Sequence, residues 1–383
     1  MINRVVLNET SYFGRGARKK LVEEIKNRGY KEVLLVSDNT LVQAGVTTLV
    51  TDLLQEAGIT YYEYLNIKPN PTVKNVHDGL NIAQVNGVDS IVAVGGGSVI
   101  DTAKAISIIM TNPEHSGVVS LEGAVDTRNK GLPLFALPTT SGTAAEVTIN
   151  YVITDEVNMK KMVCVDPHDI PICSIIDPDL MDGMPQQLAA STGMDALTHA
   201  MEGYITKAGW LIPDMFHINA MALIYKNLES AANEKDKVAI EKMAYAQYIA
   251  GMGFSNVGLG IVHSMAHSLG AFFDVPHGVA NALLLPHVMR FNGQVCPDLF
   301  RNMGRTFGLD MDNLNDQEAV DKVVDAIKNL SIRLHIPQTL RELGIPEEML
   351  PALANQAIND PCTPGNPRNV TVDDLINLYK EAY

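Results

Sequence analysis

The sequence predicts an α/β domain with a mostly parallel sheet, followed by an all-helical domain. Three observations carry this. Apolar strands alternate with helical segments through the first half of the chain. From Met184-Pro185 onward the hydrophobic period becomes helical and stays so. At 383 residues the chain exceeds the size of one ordinary core, so two domains are expected, 1–185 and 186–383.

The first half reads in order. Val5-Val6-Leu7 has strand character, and Phe13-Gly14-Arg15-Gly16 forms a turn before a helix over 17–28 that Gly29 ends. Glu32-Val33-Leu34-Leu35-Val36-Ser37 is continuously apolar at its centre, the pattern of a parallel strand covered on both faces. A helix ending near Gly58, a strand at 60–65, a helix at 73–86 and the strand Ser90–Val94 follow. Such alternation implies crossover connections and an open sheet, in which ligands bind beyond the carboxyl ends of the strands. Val147–Ile153 is rich in β-branched residues and pairs with Lys161–Val165 across a polar turn, and Ser174-Ile175-Ile176 is the last strand.

The second half reads as helices near 186–206, 214–231, 236–254, 259–271, 278–291, 316–333, 347–357 and 371–382. Pro185 suits a first helical turn. The stretch 250–270 is glycine-rich and almost uncharged, which predicts buried helix rather than surface cover. Neither internal repeats nor low-complexity segments are visible.

Composition narrows the function. A net charge of −15 argues against a nucleic-acid partner, because phosphate binding needs basic surface. Cys164, Cys173, Cys296 and Cys362 are scattered without a Cys-x-x-Cys, so no zinc ribbon or disulfide framework is signalled. The opening MINRVVLNET lacks a signal-peptide layout and no long apolar run occurs, so a cytoplasmic protein with no membrane partner is expected.

Two sets of residues carry chemistry. In the first, Gly95-Gly96-Gly97-Ser98 lies after a buried strand and before the helix containing Asp101. Glycines there let backbone N–H groups approach a diphosphate, with the helix N-terminus adding partial positive charge. It is neither G-x-G-x-x-G nor a Walker sequence, and a plain glycine turn is the alternative. Asp38, at the end of an earlier strand, could accept the ribose hydroxyls of adenosine or simply cap a helix. Thr139-Thr140-Ser141-Gly142-Thr143 ends another strand with hydroxyls suited to the same crevice.

In the second set, Asp195 and His199 are four apart in a helical segment and share a face. His263 and His267 form a similar pair, and His277 follows in Pro276-His277-Gly278. A carboxylate and clustered imidazoles among apolar residues suit a borderline first-row ion, iron or zinc, better than calcium or magnesium. Spacing alone makes His263 and His267 the natural ligand pair, while either could merely satisfy a neighbour.

The segments GGGSVIDTAKA, LPTTSGTAAEVT, DALTHAMEGY, GIVHSMAHSLGA and PHGVANALLLPHV resemble the signatures of the iron-dependent (group III) alcohol dehydrogenases. The resemblance covers essentially the whole chain. It implies a dinucleotide-binding domain, a helical domain and an active site in the cleft between them. It also implies NAD(H)-linked hydride exchange with a short alcohol or aldehyde, and a homodimer. Carried over residue by residue, it assigns the metal to Asp195, His199, His263 and His277. Cofactor contacts fall on Asp38, Asn70, Gly95, Gly96, Gly97, Ser98, Asp101, Thr139, Thr140, Thr143, Lys161 and Leu180. His267 is left close to the metal but off it, where an imidazole can pass the substrate hydroxyl proton onward. Asn150, Phe254 and Cys362 fall in segments that would wall the substrate pocket, and a polar Asn with an aromatic wall suits a short 1,2-diol or 2-hydroxyaldehyde.

A rival from another class is a lyase like the dehydroquinate synthases, a related family sharing the architecture, the nicotinamide and the metal. Its anionic substrate would need several basic residues, and the cleft segments offer few beyond Lys161. A purely hydrolytic metalloenzyme leaves the nucleotide motif unexplained.

Overall fold

The computed structural model describes residues 2–115 and 117–383, and they divide into two compact units between Met184 and Pro185. The first unit runs β1 (Thr10–Phe13), α1 (Lys20–Arg28), β2 (Glu32–Val36), α2 (Asn39–Gln43), α3 (Thr48–Glu56), β3 (Thr60–Tyr64) and α4 (Val73–Asn86). It continues through β4 (Ser90–Gly95), α5 (Gly97–Thr111), β5 (Gly123–Ala124), β6 (Leu134–Pro138), β7 (Asn150–Asp155), β8 (Lys160–Val165) and β9 (Cys173–Ile176). Six of these strands form a parallel sheet in the order β1-β9-β6-β4-β2-β3.

Alternate residues of the central strands enter different cores, as a period of two requires. Leu34, Val36, Ile91, Ala93, Leu134 and Ala136 pack with Val76 and Leu80 of α4 and Ile100 and Ile106 of α5. Val33, Leu35, Val92, Val94, Phe135 and Leu137 pack with Leu21 and Ile25 of α1 and Val50 and Leu54 of α3. Both faces are therefore covered, which explains why these strands read as unbroken apolar runs. Each fully buried aliphatic side chain contributes on the order of 1.5–3 kcal/mol.

Two strand expectations shift. Residues 5–7 form no strand; pairing starts at Thr10, opposite Cys173. Just before it, the Asn8 amide donates to the carbonyls of Glu146 and Pro171, anchoring the chain by a side chain instead of a ladder. The meander begins at Asn150 rather than Val147, because Ala145–Val147 forms a 3₁₀ turn. β7 and β8 pair antiparallel and β5 adds to β8 in parallel, making a separate small sheet.

The second unit consists of α6 (Gln186–Ile205), α7 (Leu211–Glu229), α8 (Lys237–Val257), α9 (Ile261–Phe273), α10 (His277–Gly293), α11 (Pro297–Thr306), α12 (Asp316–Arg333), α13 (Leu350–Ala357) and α14 (Val372–Glu381). From Ala189 to Ile205, α6 is buried almost all round, its polar stripe included. The stretch 250–270 is buried but holds parts of two helices, broken at Gly258-Leu259-Gly260. α11 was not anticipated. It is ten residues long, opens on Pro297 and buries Phe300, Met303 and Gly304 on one stripe.

Candidate metal centre and nucleotide-binding loops

In the second unit, α6 presents Asp195, His199 and Glu202 at i, i+4 and i+7, one face of a helix. α9 supplies His263, and His277 is the first residue of α10. One ligand atom from each of Asp195, His199, His263 and His277 lies within 4.8 Å of the others. The first three side chains are buried and His277 is half-buried. The approach of α10 to α6 depends on Gly278: a Cβ there would fall 2.5 Å from the Ser191 carbonyl oxygen. Only glycine allows this close passage, which seats His277 Nε2 3.6 Å from Asp195 Oδ1.

The ligand rings are held from behind. Glu202 Oε2 lies 2.5 Å from His263 Nδ1, and the same carboxylate accepts the backbone N–H groups of Val262 and His263 at 2.7 and 3.3 Å. A carboxylate at Nδ1 fixes the proton there and leaves the Nε2 lone pair for the centre. Burial lowers His263 to about 4, against the pull of Asp195, so the ring is neutral near pH 7. Burial raises Glu202 to about 7, opposed by its backbone donors. Phe254 lies flat on His199 with ring centroids 4.1 Å apart and 9° between planes.

A donor stands among these acceptors. Asn281 Nδ2 is 2.6 Å from Asp195 Oδ1 and 3.1 Å from both His263 Nε2 and His277 Nε2. Its Oδ1 is buried without a hydrogen-bond partner. The centre thus gathers one carboxylate oxygen and three imidazole nitrogens, the donor types that a divalent iron or zinc ion takes.

His267 belongs to a neighbouring group. It shares an α9 face with His263, yet its Nδ1 meets Asp360 Oδ2 at 2.8 Å, and its ring stacks on His277 at 5.4 Å. Asp360 also accepts the Cys362 backbone N–H at 2.9 Å. Burial opposes its ionisation, but His267 and Cys362 together hold its carboxyl below the usual range. Burial, with Asp360 alongside, raises the Cys362 thiol far above its ordinary value. Of the expected pocket residues, Phe254 therefore backs His199 and Cys362 lies beside Asp360. Asn150 is in the first unit, where its carbonyl accepts from Lys104 Nζ at 2.9 Å.

In the first unit, β6, β4 and β2 are neighbours in the sheet, and Thr139–Thr143, Gly95–Ser98 and Asp38 follow their respective carboxyl ends. The first two loops lie side by side. Thr139 N donates to Gly95 O at 3.1 Å, and a Cβ on Gly97 would come within 2.7 Å of Thr143 Cγ2. Gly97 opens α5, and its lack of a Cβ lets the two loops pack. Asp38 caps α2, Oδ1 accepting from Leu41 N at 2.9 Å, while the carboxylate remains half-exposed. Lys161 Nζ donates to Asn70 Oδ1 at 2.6 Å. Asp101 Oδ2 accepts from Val152 N at 2.9 Å, tying α5 to β7, and desolvation raises its carboxyl to about 6 against the pull of Lys104. Leu180 is buried in the core beside α1 and β9.

Glu202, Asn281 and Asp360 were missed from the sequence. Glu202 continues the stripe of Asp195 and His199, and Asn281 lies one turn after His277, so both had a periodic signal. Asp360 meets His267 across 93 residues and had none.

Residues 8–178 match the profile described as iron-containing alcohol dehydrogenase, and 189–383 that of the Fe-containing alcohol dehydrogenase family, C-terminal. The chain is 52% identical over 384 residues to lactaldehyde reductase of Escherichia coli (strain K12), covering 100% of both chains. Its fold superposes on the crystal structure of a 1,3-propanediol oxidoreductase with TM-score 0.96 and 39% identity, covering 100% of each chain. It also matches the sulfoacetaldehyde reductase of Bifidobacterium kashiwanohense in complex with NAD+, with TM-score 0.89 and 29% identity over 100% of this chain and 99% of that one. Its two-part fold, its convergent donor set and these full-length matches agree: the chain belongs to the iron-containing alcohol dehydrogenase family.

Proposed function

We propose that the protein is an iron-dependent, NAD(H)-linked oxidoreductase that interconverts lactaldehyde and 1,2-propanediol. The observation that carries the chemistry is the convergence of Asp195, His199, His263 and His277. The substrate assignment rests on the 52% full-length identity to a lactaldehyde reductase. The lyase alternative finds no support, since the relatives named above are oxidoreductases.

The residues divide the work. The Gly95–Ser98 amides and the α5 N-terminus receive the diphosphate of the nucleotide, Asp38 the adenosine ribose, and Thr139, Thr140 and Thr143 line the same crevice. Lys161, aligned by Asn70, and the backbone at Leu180 complete the cofactor contacts, and Asp101 holds the wall behind them. In the second unit Asp195, His199, His263 and His277 would hold a divalent cation, which would supply Lewis acidity to a substrate hydroxyl that otherwise scarcely ionises. His267, braced at Nδ1 by Asp360, takes that hydroxyl proton toward solvent. Phe254, stacked on His199, and Cys362, beside Asp360, limit the substrate to a short chain. Among the described residues no helix is long and apolar enough to cross a membrane. A cytoplasmic homodimer completes the proposal.

Mixing the protein with NADH and lactaldehyde while following nicotinamide absorbance tests the reading. Activity should vanish on exhaustive chelation and return with ferrous salt under reducing conditions. Full turnover after chelation, or no NADH consumption with any short aldehyde, overturns it.

A further inference from the structure

Asn281 occupies the place where the ligands converge. Its side chain is 0% exposed, and its Nδ2 faces Asp195 Oδ1 and the Nε2 atoms of His263 and His277. An amide nitrogen carries two protons, and here three acceptors compete for them. The opposite end of the amide, Oδ1, has no hydrogen-bond partner, a costly state for a buried polar atom. Turning the amide over would not help: it would set Oδ1 against a carboxylate and two nitrogen lone pairs. The observed orientation is the one a centre rich in lone pairs demands when an N–H group must serve it.

We infer that Asn281 is a stand-in for the cation: its N–H₂ holds Asp195, His263 and His277 in ligating positions in the metal-free chain and is expelled when an ion binds. An imidazole Nε2 has one lone pair, which can serve an N–H or a cation but not both, so amide and ion compete at His263 and His277. The consequence has a definite sign. Asn281 stabilises the metal-free fold, because without it a buried carboxylate and two imidazole nitrogens lose their shared donor. It stabilises the loaded fold less, since those acceptors then have the ion. By linkage, the wild-type asparagine weakens metal affinity and makes the ion exchangeable. His277 and Asn281 are one turn apart on α10, so the residue displaced lies on the element that brings one of the displacing ligands.

The inference rests on the metal-site reading above and is separable from it. Zinc, redox-silent, serves as the probe for chelator-stripped wild type, Asn281→Ala and Asn281→Ser, with affinity read by competition against a chromophoric chelator and Tm measured with and without zinc. Losing one hydrogen bond to a charged acceptor corresponds to roughly a tenfold change, so Asn281→Ala should bind zinc about tenfold more tightly. Its metal-free Tm should fall by more than its zinc-loaded Tm, and Asn281→Ser, keeping one donor, should lie between. Weaker zinc binding by the alanine variant would make Asn281 a support of the loaded site, and equal Tm losses with unchanged affinity would make it mere packing; either overturns the inference. Should metal-free Asn281→Ala fail to fold, the serine variant decides by the same signs. A wild type that binds no zinc would defeat the metal-site reading itself.

Discussion

Glu202 lies directly behind His263, its Oε2 2.5 Å from Nδ1, and the same carboxylate accepts two backbone N–H groups at the start of α9. One side chain on α6 therefore sets the tautomer of a ligand on α9 and caps the helix that carries it. Glu202→Gln keeps the shape but replaces an acceptor oxygen with a second donor facing three N–H groups. Metal affinity should fall about 10–100-fold, the usual effect of losing such a partner. Zinc competition measures it, and affinity within threefold of wild type, itself only roughly 0.6 kcal/mol, would show that His263 keeps its tautomer unaided.

Asp38 caps α2 through Oδ1. Under the proposed function its charge would also repel a ribose 2′-phosphate, and a single substitution separates the two roles. Asp38→Gly removes the charge, while glycine at an N-cap costs only a few tenths of a kcal/mol. The variant should fold normally and accept NADP(H), with wild type strongly preferring NAD(H). Steady-state kcat/KM with both cofactors checks this. Equal use of the two by wild type would show that Asp38 acts as a cap alone.

The fold was legible where one period dominated. Leu34 and Leu35 face opposite cores, so β2 read as continuously apolar, and α6 announced itself through the spacing of Asp195 and His199. Glu202 went unread because a glutamate on a helix ordinarily faces water, whereas α6 is enclosed on every side. Val5-Val6-Leu7 has the propensity of a strand, but pairing with β9 begins only at Thr10, and propensity cannot see a partner over 160 residues away. His263 and His267 looked like a ligand pair because helical spacing is local. What separates them is Asp360, which the chain delivers from far outside the helix.

Asp169 gives the first unit a pH dependence. Its carboxyl is 1% exposed with no hydrogen bond to either oxygen, and Lys104 Nζ, 3.6 Å away, is already donating to Thr148 and Asn150. Burial, only partly offset by Lys104, raises Asp169 to about 8 from an ordinary 3.8. Between those values the folded chain keeps a proton that the unfolded chain has released, so this contribution is complete below pH ~4 and lost as pH rises through ~8. Asp169→Asn abolishes the titration. The stability of wild type relative to Asp169→Asn, from urea unfolding across that range, should decline with rising pH; a flat difference would mean Asp169 is ionised throughout.

His267 and His277 stack on one another, yet only His277 shares the 4.8 Å cluster with Asp195, His199 and His263. His267 Nδ1 is engaged by Asp360, a partner outside that cluster. Their substitutions should therefore fail in different ways. His277→Ala removes one of four ligands and should leave the protein nearly metal-free as purified. His267→Ala should retain most of the metal while losing turnover by roughly 10²–10⁴-fold, the scale of a missing proton carrier. Asp360→Asn, which keeps a hydrogen bond to His267 but removes the charge, should retain the metal and lose less rate. Elemental analysis beside kcat for each variant separates these outcomes. A metal-free His267→Ala together with a metal-replete His277→Ala would make the α9 pair the true ligands, and a fully active, metal-replete His267→Ala would leave the proton to solvent.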